Sequence, residues 1–193
     1  MATVSHALTY LDLEQRRETS DERMELIEGE IFVTPSPTPF HQLAVLRLAA
    51  MLDRAIVESG LGVAMPAPLD VFFERHSILQ PDLVILVGDR AEMFERGTID
   101  GPPSLVMEIL SPSTQGRDRG IKQNLYARHG VPEYWIVDVE SKSVTIFSDP
   151  ADGRYESEST THEVATSVTI PSLTVDLGVL FSAPRRFRAE TSS

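Results

Sequence analysis

The chain has 193 residues, with 17 Lys and Arg against 29 Asp and Glu, so its formal net charge is −12. That length suits one domain with a hydrophobic core, and an apolar share of 41% is too high for a disordered chain. The lack of cysteine excludes a disulfide scaffold, a cysteine nucleophile and thiolate-bound zinc or iron–sulfur centres.

The first part of the chain predicts a helix, a hairpin and a longer helix. The apolar spacing over 10–18 is typical of a short amphipathic helix. The stretch RMELIEGEIFVTPSP alternates apolar residues on both sides of Glu28-Gly29, which predicts two short strands joined by a turn. Prolines 35, 37 and 39 then interrupt the pattern. From His41 to Ser59 the apolar residues recur with helical spacing, and Gly60 is a suitable stop.

The rest of the chain is mainly β-like. Strands are predicted at 62–65, 69–74, 82–87 and 105–110, and the last two are so continuously apolar that both faces should be covered. A helix over 117–129 ends before Gly130. The segments 133–139 and 144–148 predict a hairpin, 154–170 predicts polar edge strands, and 173–181 forms a short closing segment.

This order of elements predicts an α/β or α+β domain. We expect a mixed central β-sheet flanked by helices, with an N-terminal hairpin and additional C-terminal strands. We expect a single domain over 1–193, with its core at about 24–181 and a flexible tail at 182–193.

The chain start and the apolar runs bear on location. MATVSHALTY lacks the basic stretch and apolar run of a signal peptide, and the longest apolar run, Leu83 to Val87, is too short to cross a bilayer. We therefore expect a cytoplasmic protein that does not contact a membrane.

Two carboxylates in the apolar strands are candidates for chemistry. Asp82 follows Pro81 at the head of LVILV, where a buried Asp must be solvated, hydrogen-bonded or bound to a metal, although Pro-Asp is also common in turns. Glu108 is the only charge in LVMEIL, so it must be paired, protonated or metal-bound in a buried strand.

Lys122 is the third candidate, and it is one of only two lysines in the chain. Helical spacing places Asp118, Lys122 and Tyr126 on one face. That face is either a solvated row of salt bridges or a site at which the lysine meets a phosphate.

The remaining candidates are accessory. Glu25, Glu28 and Glu30 lie in the first hairpin, where they either complete a metal shell or are strand-surface acids. His41 opens the long helix and either assists the site or has a structural role. The other histidines lack the spacing of metal ligands, which argues against a histidine-based metal site.

Two acids and a lysine suit the hydrolysis of a phosphodiester. That reaction uses a metal ion to activate water and to neutralise charge on phosphorus. Mg²⁺ prefers a few carboxylate oxygens together with waters, and a lysine can stabilise the charge of the transition state.

Five stretches of the chain, taken together and in this order, resemble the Uma2 family of proposed restriction endonucleases, a branch of the PD-(D/E)XK nuclease superfamily. They are MELIEGEIFVTPSP with His41-Gln42, PDLVILV, LVMEILSPST, the helix with Asp118, Lys122 and Tyr126, and GVPEYWIVD.

The resemblance implies a restriction-endonuclease-like fold and a metal-dependent DNA endonuclease that leaves a 5′-phosphate and a 3′-hydroxyl. It assigns Asp82 and Glu108 to the catalytic site as ligands of Mg²⁺ or Mn²⁺. The superfamily consensus has a lysine two residues after this Glu, but this sequence has Leu110 there. In related families the lysine moves to the following helix, which gives Lys122 the catalytic role.

The resemblance also offers accessory residues and partners. The family pattern favours Glu25 and Glu30 as further members of the metal shell, with His41 and Tyr126 as additional accessory candidates. DNA is the implied substrate and a homodimer the implied assembly, because two strands need two sites. The alternative is a catalytically inactive nuclease-fold module that binds nucleic acid or protein, and a small-molecule enzyme has no motif in its favour.

The charge is unevenly distributed. Residues 111–130 carry a net +3, whereas residues 1–30 carry a net −5. We expect the basic helix to lie where a phosphate backbone would pass. The overall charge of −12 nevertheless predicts weak nonspecific binding to DNA, so that activity should depend strongly on metal and salt.

Overall fold

The computed structural model describes residues 7–95 and 98–183. The predicted tail therefore lies outside the described residues from position 184 onward. The helices are α1 (Tyr10–Arg17), α2 (Pro39–Leu52), α3 (Glu92–Glu95), α4 (Gln115–Arg117), α5 (Gln123–Arg128) and α6 (Leu177–Leu180). A wide π-helical turn, Asp53–Val57, extends α2, a second one, Asp118–Lys122, joins α4 to α5, and a 3₁₀ turn, Gly88–Ala91, precedes α3.

The strands follow the predicted order with some additions. They are β1 (Arg23–Ile27), β2 (Glu30–Thr34), β3 (Gly62–Pro66), β4 (Val71–Glu74), β5 (Ser77–Leu79), β6 (Leu83–Val87), β7 (Ile99–Asp100), β8 (Leu105–Ile109), β9 (Glu133–Asp138), β10 (Ser143–Ala151), β11 (Arg154–Thr161), β12 (Val164–Thr166) and β13 (Thr174–Asp176).

A six-stranded mixed sheet forms the centre of the described chain, in the order β11-β10-β9-β8-β6-β3. Only β8 and β9 run parallel in it. This confirms the predicted mixed central sheet with helices on its faces, and β11 lies at the edge as expected. The C-terminal strands β12 and β13 pair with each other.

The N-terminal hairpin belongs to a second sheet, which the sequence did not predict. In the described residues this sheet has the order β2-β1-β5-β4-β7. Its strands β5 and β7 have three and two residues, too few to show an alternating pattern. Strand β4 also begins at Val71, two residues after the predicted start.

The start of α2 differs from the prediction as well. The helix begins at Pro39, not at His41, because a proline is tolerated in the first helical turn, where its missing N–H has no partner to lose. Thr38 caps the helix by accepting a hydrogen bond from the His41 N–H at 3.2 Å. This cap fixes the position of His41 at the start of α2.

The central strands are covered on both faces. On one face α2 packs through Leu48 and Leu52 against Leu83, Met107 and other apolar side chains of the sheet. The opposite face carries Val106 and packs against α5. Because side chains alternate along a strand, Glu108 lies on the same face as Val106, toward α5.

No helix within the described residues combines the length and the apolarity needed to cross a bilayer.

Candidate active site

The register of the central sheet brings the two predicted acids together. Leu83 pairs with Met107 in the antiparallel contact between β6 and β8. Asp82 directly precedes Leu83 and Glu108 directly follows Met107, so the two acids lie side by side on neighbouring strands. The Ile109 N–H donates a hydrogen bond to Asp82 Oδ2 at 2.9 Å. Both acids are buried, with exposures of 7% and 4%.

Lys122 and Tyr126 meet Glu108 from the helical face above the strand. Glu108 Oε1 accepts hydrogen bonds from Lys122 Nζ and from the Tyr126 hydroxyl, each at 2.8 Å. Lys122 is only 4% exposed, so the alternative of a solvated salt-bridge face is wrong. The predicted displaced lysine thus lies in contact with the predicted second acid.

The acids of the N-terminal hairpin are in different places. Glu25 is buried on β1, and its Oε1 lies 2.9 Å from Lys122 Nζ and accepts a hydrogen bond from the Gln80 N–H at 2.8 Å. Glu30 is exposed at the start of β2 and does not line the cavity of the site. Glu28 is exposed at the turn and pairs with Arg128. Of the three, only Glu25 joins the cluster.

His41 contacts the site through Asp82. Its Nε2 lies 3.1 Å from Asp82 Oδ2, while its Nδ1 is buried without a hydrogen-bond partner among the described residues. The capped start of α2 holds the imidazole in this position. His41 therefore orients the carboxylate of Asp82.

The environment shifts the pKa values of these groups in different directions. Burial raises the pKa of Asp82, but hydrogen bonds from His41 and the Ile109 N–H outweigh this, and the net effect is a lowered pKa. Burial raises the pKa of Glu108 to about 8, since the attraction of Lys122 offsets only part of the desolvation and of the repulsion from Asp118 and Asp82. Asp82 is thus held ionised, whereas Glu108 gains or loses its proton near neutral pH.

Lys122 remains charged despite its burial. Desolvation lowers its pKa, but the carboxylates of Glu108, Glu25 and Asp118 outweigh that effect and raise it. The pKa of Asp118 is raised, mainly by burial. Neither of its carboxylate oxygens has a hydrogen-bond partner among the described residues, and the nearest cation is Lys122 Nζ at 3.8 Å.

An open cavity of about 200 Å³ lies over this cluster. Its lining includes Asp82, Glu108, Asp118, Lys122 and Arg23. Four buried carboxylates, those of Glu25, Asp82, Glu108 and Asp118, surround one buried lysine. This excess of negative charge in a desolvated site favours the binding of a cation.

The donor atoms fit a magnesium-type ion. Asp82 Oδ1 and Glu108 Oε2 form no hydrogen bond to the described residues, and both side chains line the cavity. No described group of three or more His, Asp or Glu side chains is close enough to hold an ion alone. Mg²⁺ often takes only one or two carboxylates and keeps several waters, so the pair of Asp82 and Glu108 matches the number of protein ligands that this ion uses.

Two residues of the site were missed by sequence reasoning. Gln80 connects Glu25 to Arg23, and Arg23 reaches the cavity beside Asp82. Neither belongs to a recognisable pattern, because their contacts depend on the pairing of β1 with β5, in which Leu26 meets Ile78, 52 residues further along the sequence. The place of Gln80 just before Pro81-Asp82 is the one signal that was available.

The mixed sheet, with Asp82 and Glu108 on neighbouring strands and Lys122 between sheet and helix, is the arrangement expected of the restriction-endonuclease-like fold. A solved structure shares this fold. The chain superposes with a TM-score of 0.71 on the crystal structure of a putative nuclease belonging to DUF820 from Anabaena variabilis, covering 84% of this chain and 92% of that chain at 20% identity.

The sequence pattern of the Uma2 family, described as "Putative restriction endonuclease", matches residues 8–179. The chain belongs to this family, as the motifs indicated. Two uncharacterized proteins of Synechocystis are also similar to it. Sll1609 is 25% identical over 132 residues, which is 68% of this chain and 75% of that protein. Slr1290 is 24% identical over 145 residues, which is 75% of this chain and 74% of that protein.

Proposed function

We propose that this protein is a metal-dependent endonuclease that hydrolyses phosphodiester bonds of DNA. The observation that carries the proposal is the contact of buried Lys122 with Glu108, beside Asp82 on the neighbouring strand. Membership of the Uma2 family supports the same class of reaction.

Asp82 and Glu108 would hold Mg²⁺ or Mn²⁺. Such an ion supplies Lewis acidity at the phosphate and lowers the pKa of bound water. The low pKa of Asp82 keeps this ligand ionised, and His41 and the Ile109 N–H fix its orientation. Tyr126 holds Glu108 by donating to its Oε1 from the same helical face as Lys122.

The superfamily consensus has a lysine at the position that Leu110 occupies here, and Lys122 takes the role of that lysine. Lys122 lines the cavity and keeps its positive charge at any physiological pH, because Glu108, Glu25 and Asp118 raise its pKa. A buried fixed cation at this point stabilises negative charge on a phosphate and orients an attacking water.

A catalytically inactive nuclease-fold module is the second candidate. It is favoured by the pairing of Lys122 with both Glu25 and Glu108, which occupies two of its three N–H donors. In that case the cluster would stabilise the fold and the surface around it would bind nucleic acid or protein.

The test is cleavage of supercoiled plasmid and of linear DNA in Mg²⁺, in Mn²⁺ and in EDTA. We expect cleavage only with metal, and a loss of about 100-fold or more in rate for Glu108→Gln and Lys122→Met. Matched controls are Glu158→Gln on the exposed edge strand and Lys142→Asn in a surface turn, and both should cut like the parent protein.

The outcomes separate the two candidates. Cleavage by Glu108→Gln at the parent rate would show that the proposed site is wrong. A folded parent protein that binds DNA and cuts none, with either metal, supports the inactive module. Double-strand cleavage further calls for two sites, so we propose a homodimer, to be tested by sedimentation velocity with and without duplex DNA.

A further inference from the structure

We propose that Arg23 is a phosphate-binding residue of this site and holds the DNA backbone beside Asp82. The inference rests on the proposed function and adds the residue that receives the substrate's anionic backbone. Arg23 is the first residue of β1, and its side chain lines the cavity. Its side chain is 27% exposed, so an incoming ligand can reach it.

The guanidinium group is fixed by one neighbour. Arg23 Nε donates to Gln80 Oε1 at 3.0 Å, and Nη2 donates to the Gln80 carbonyl oxygen. The described residues offer Nη1 no hydrogen bond, and the nearest carboxylate oxygen, Asp82 Oδ1, is 3.9 Å away. Both N–H donors of Nη1 therefore remain available at the cavity.

Gln80 is itself fully held. Its N–H donates to Glu25, and its side-chain Nε2 donates to Asp70 Oδ1 at 2.8 Å. Asp70 in turn accepts hydrogen bonds from both terminal nitrogens of Arg17, at 2.7 and 2.9 Å. This chain of contacts holds Arg23 before any ligand binds, so that binding costs little side-chain entropy.

The chemistry of the site calls for such a cation. An anionic backbone that approaches four buried carboxylates is repelled, and Lys122 lies too deep among them to offset this at the rim of the cavity. Arginine matches the oxygens of a phosphate with its planar fork of donors. Arg23 brings this group to the position next to Asp82, where the scissile region of the strand would lie.

The inference is tested by measuring the binding of a fluorescent DNA duplex between 50 and 200 mM salt. Ca²⁺ is the metal ion in this assay, and gels verify that the duplex stays intact. For Arg23→Gln we expect about tenfold weaker binding and a salt slope, in log affinity against log salt, that is smaller by about 0.9, the loss of one phosphate contact. Arg23→Lys should keep the slope and bind severalfold more weakly, because it lacks the fork. Arg54→Gln is the matched control, since Arg54 is exposed in the π-helical turn that extends α2, on the order of 20 Å along the helix from His41.

Calorimetry with Mn²⁺ in the absence of DNA tests whether Arg23 merely maintains the structure of the site. We expect Arg23→Gln to bind Mn²⁺ with an affinity equal to or above that of the parent protein, because the carboxylate of Asp82 stays in place. An unchanged salt slope in Arg23→Gln, with a parent protein that binds DNA, overturns this inference alone. A parent protein that binds no duplex at 50 mM salt overturns it together with the proposed function.

Discussion

At the scale of single residues, Glu108 is held by opposing forces. Lys122 and Tyr126 donate to it, which favours the carboxylate, while burial and the neighbouring acids favour the protonated form. The second effect is larger, and the pKa is about 8. A divalent cation at the site would reverse this balance, because it binds the ionised form.

This balance predicts how stability depends on pH. The pKa of Glu108 is about 8 in the folded protein against an ordinary value of 4.5, so the folded protein binds more protons than the unfolded chain between these values. The free energy of unfolding contributed by this group therefore falls as the pH rises from 4.5 to 8. In EDTA, Glu108→Gln should melt within about 1 °C of the parent protein at pH 5 and about 5 °C or more above it at pH 8.5.

Thermal melts at the two pH values measure the difference. Glu158→Gln, which replaces an exposed acid on β11, should follow the parent protein at both. A Glu108→Gln variant that is equally destabilised at pH 5 and pH 8.5 would contradict the raised pKa and indicate that the lost pairing with Lys122 dominates.

At the scale of elements, Glu133 at the start of β9 fastens the C-terminal segment to the central sheet. The side chain is completely buried. Its two oxygens accept hydrogen bonds from Trp135 Nε1, the Ser167 hydroxyl and the N–H groups of Val168 and Thr169. A single carboxylate thus satisfies four donors, two of them in the backbone before β13.

Removing this carboxylate should loosen that segment. We expect Glu133→Ala to lower the free energy of unfolding by roughly 3–5 kcal/mol, because it leaves four donors without an acceptor. Hydrogen exchange should speed up at the amides of Val168 and Thr169 more than in β8. Glu156→Ala, an exposed acid on β11, is the control and should change neither quantity. Unchanged exchange at both amides in Glu133→Ala would mean that the segment is held by its apolar contacts alone.

The elements themselves were predictable where their pattern is long. The helices over 10–18 and 41–59 and the strands 82–87 and 105–110 appear within two residues of the expected bounds at nearly every end. The short strands β5 and β7 were missed because so few residues carry no periodicity. Pro39 was taken as a break in the chain, yet it starts α2, since a proline breaks a helix only beyond the first turn.

The residues of the candidate site were predictable where a charge stands out in its sequence context. Asp82, Glu108 and Lys122 stand out in the sequence because each is a charge in an apolar or sparse context, and the structure brings them together. The choice between Glu25 and Glu30 depends on which acid turns toward the end of β5, a non-local pairing. Arg23 is also outside the reach of sequence patterns for this reason.

At the scale of the whole molecule, the candidate site joins the two larger sheets. Glu25 belongs to the sheet of the hairpin, Glu108 belongs to the central sheet, and Lys122 contacts both carboxylates. Apolar contacts join the same parts, since Ile27 and Leu79 pack with Val106 and Tyr134. The prediction of a single domain therefore implies that both sheets unfold together, and that a ligand of the site stabilises them as one unit.

Calorimetry should show one unfolding transition, with equal calorimetric and van't Hoff enthalpies. Mn²⁺ at 100 times its dissociation constant should raise the free energy of unfolding by about 2.7 kcal/mol, because the ion binds the folded chain alone. For a chain of this size that corresponds to a rise in Tm of roughly 5–10 °C. Asp82→Asn and Glu108→Gln should lose most of this rise, since each removes one of the two carboxylate ligands, whereas Glu158→Gln should retain it. Two separate transitions would show that the sheets are independent units, and a full Mn²⁺ response in both site variants would place the ion elsewhere on this acidic protein.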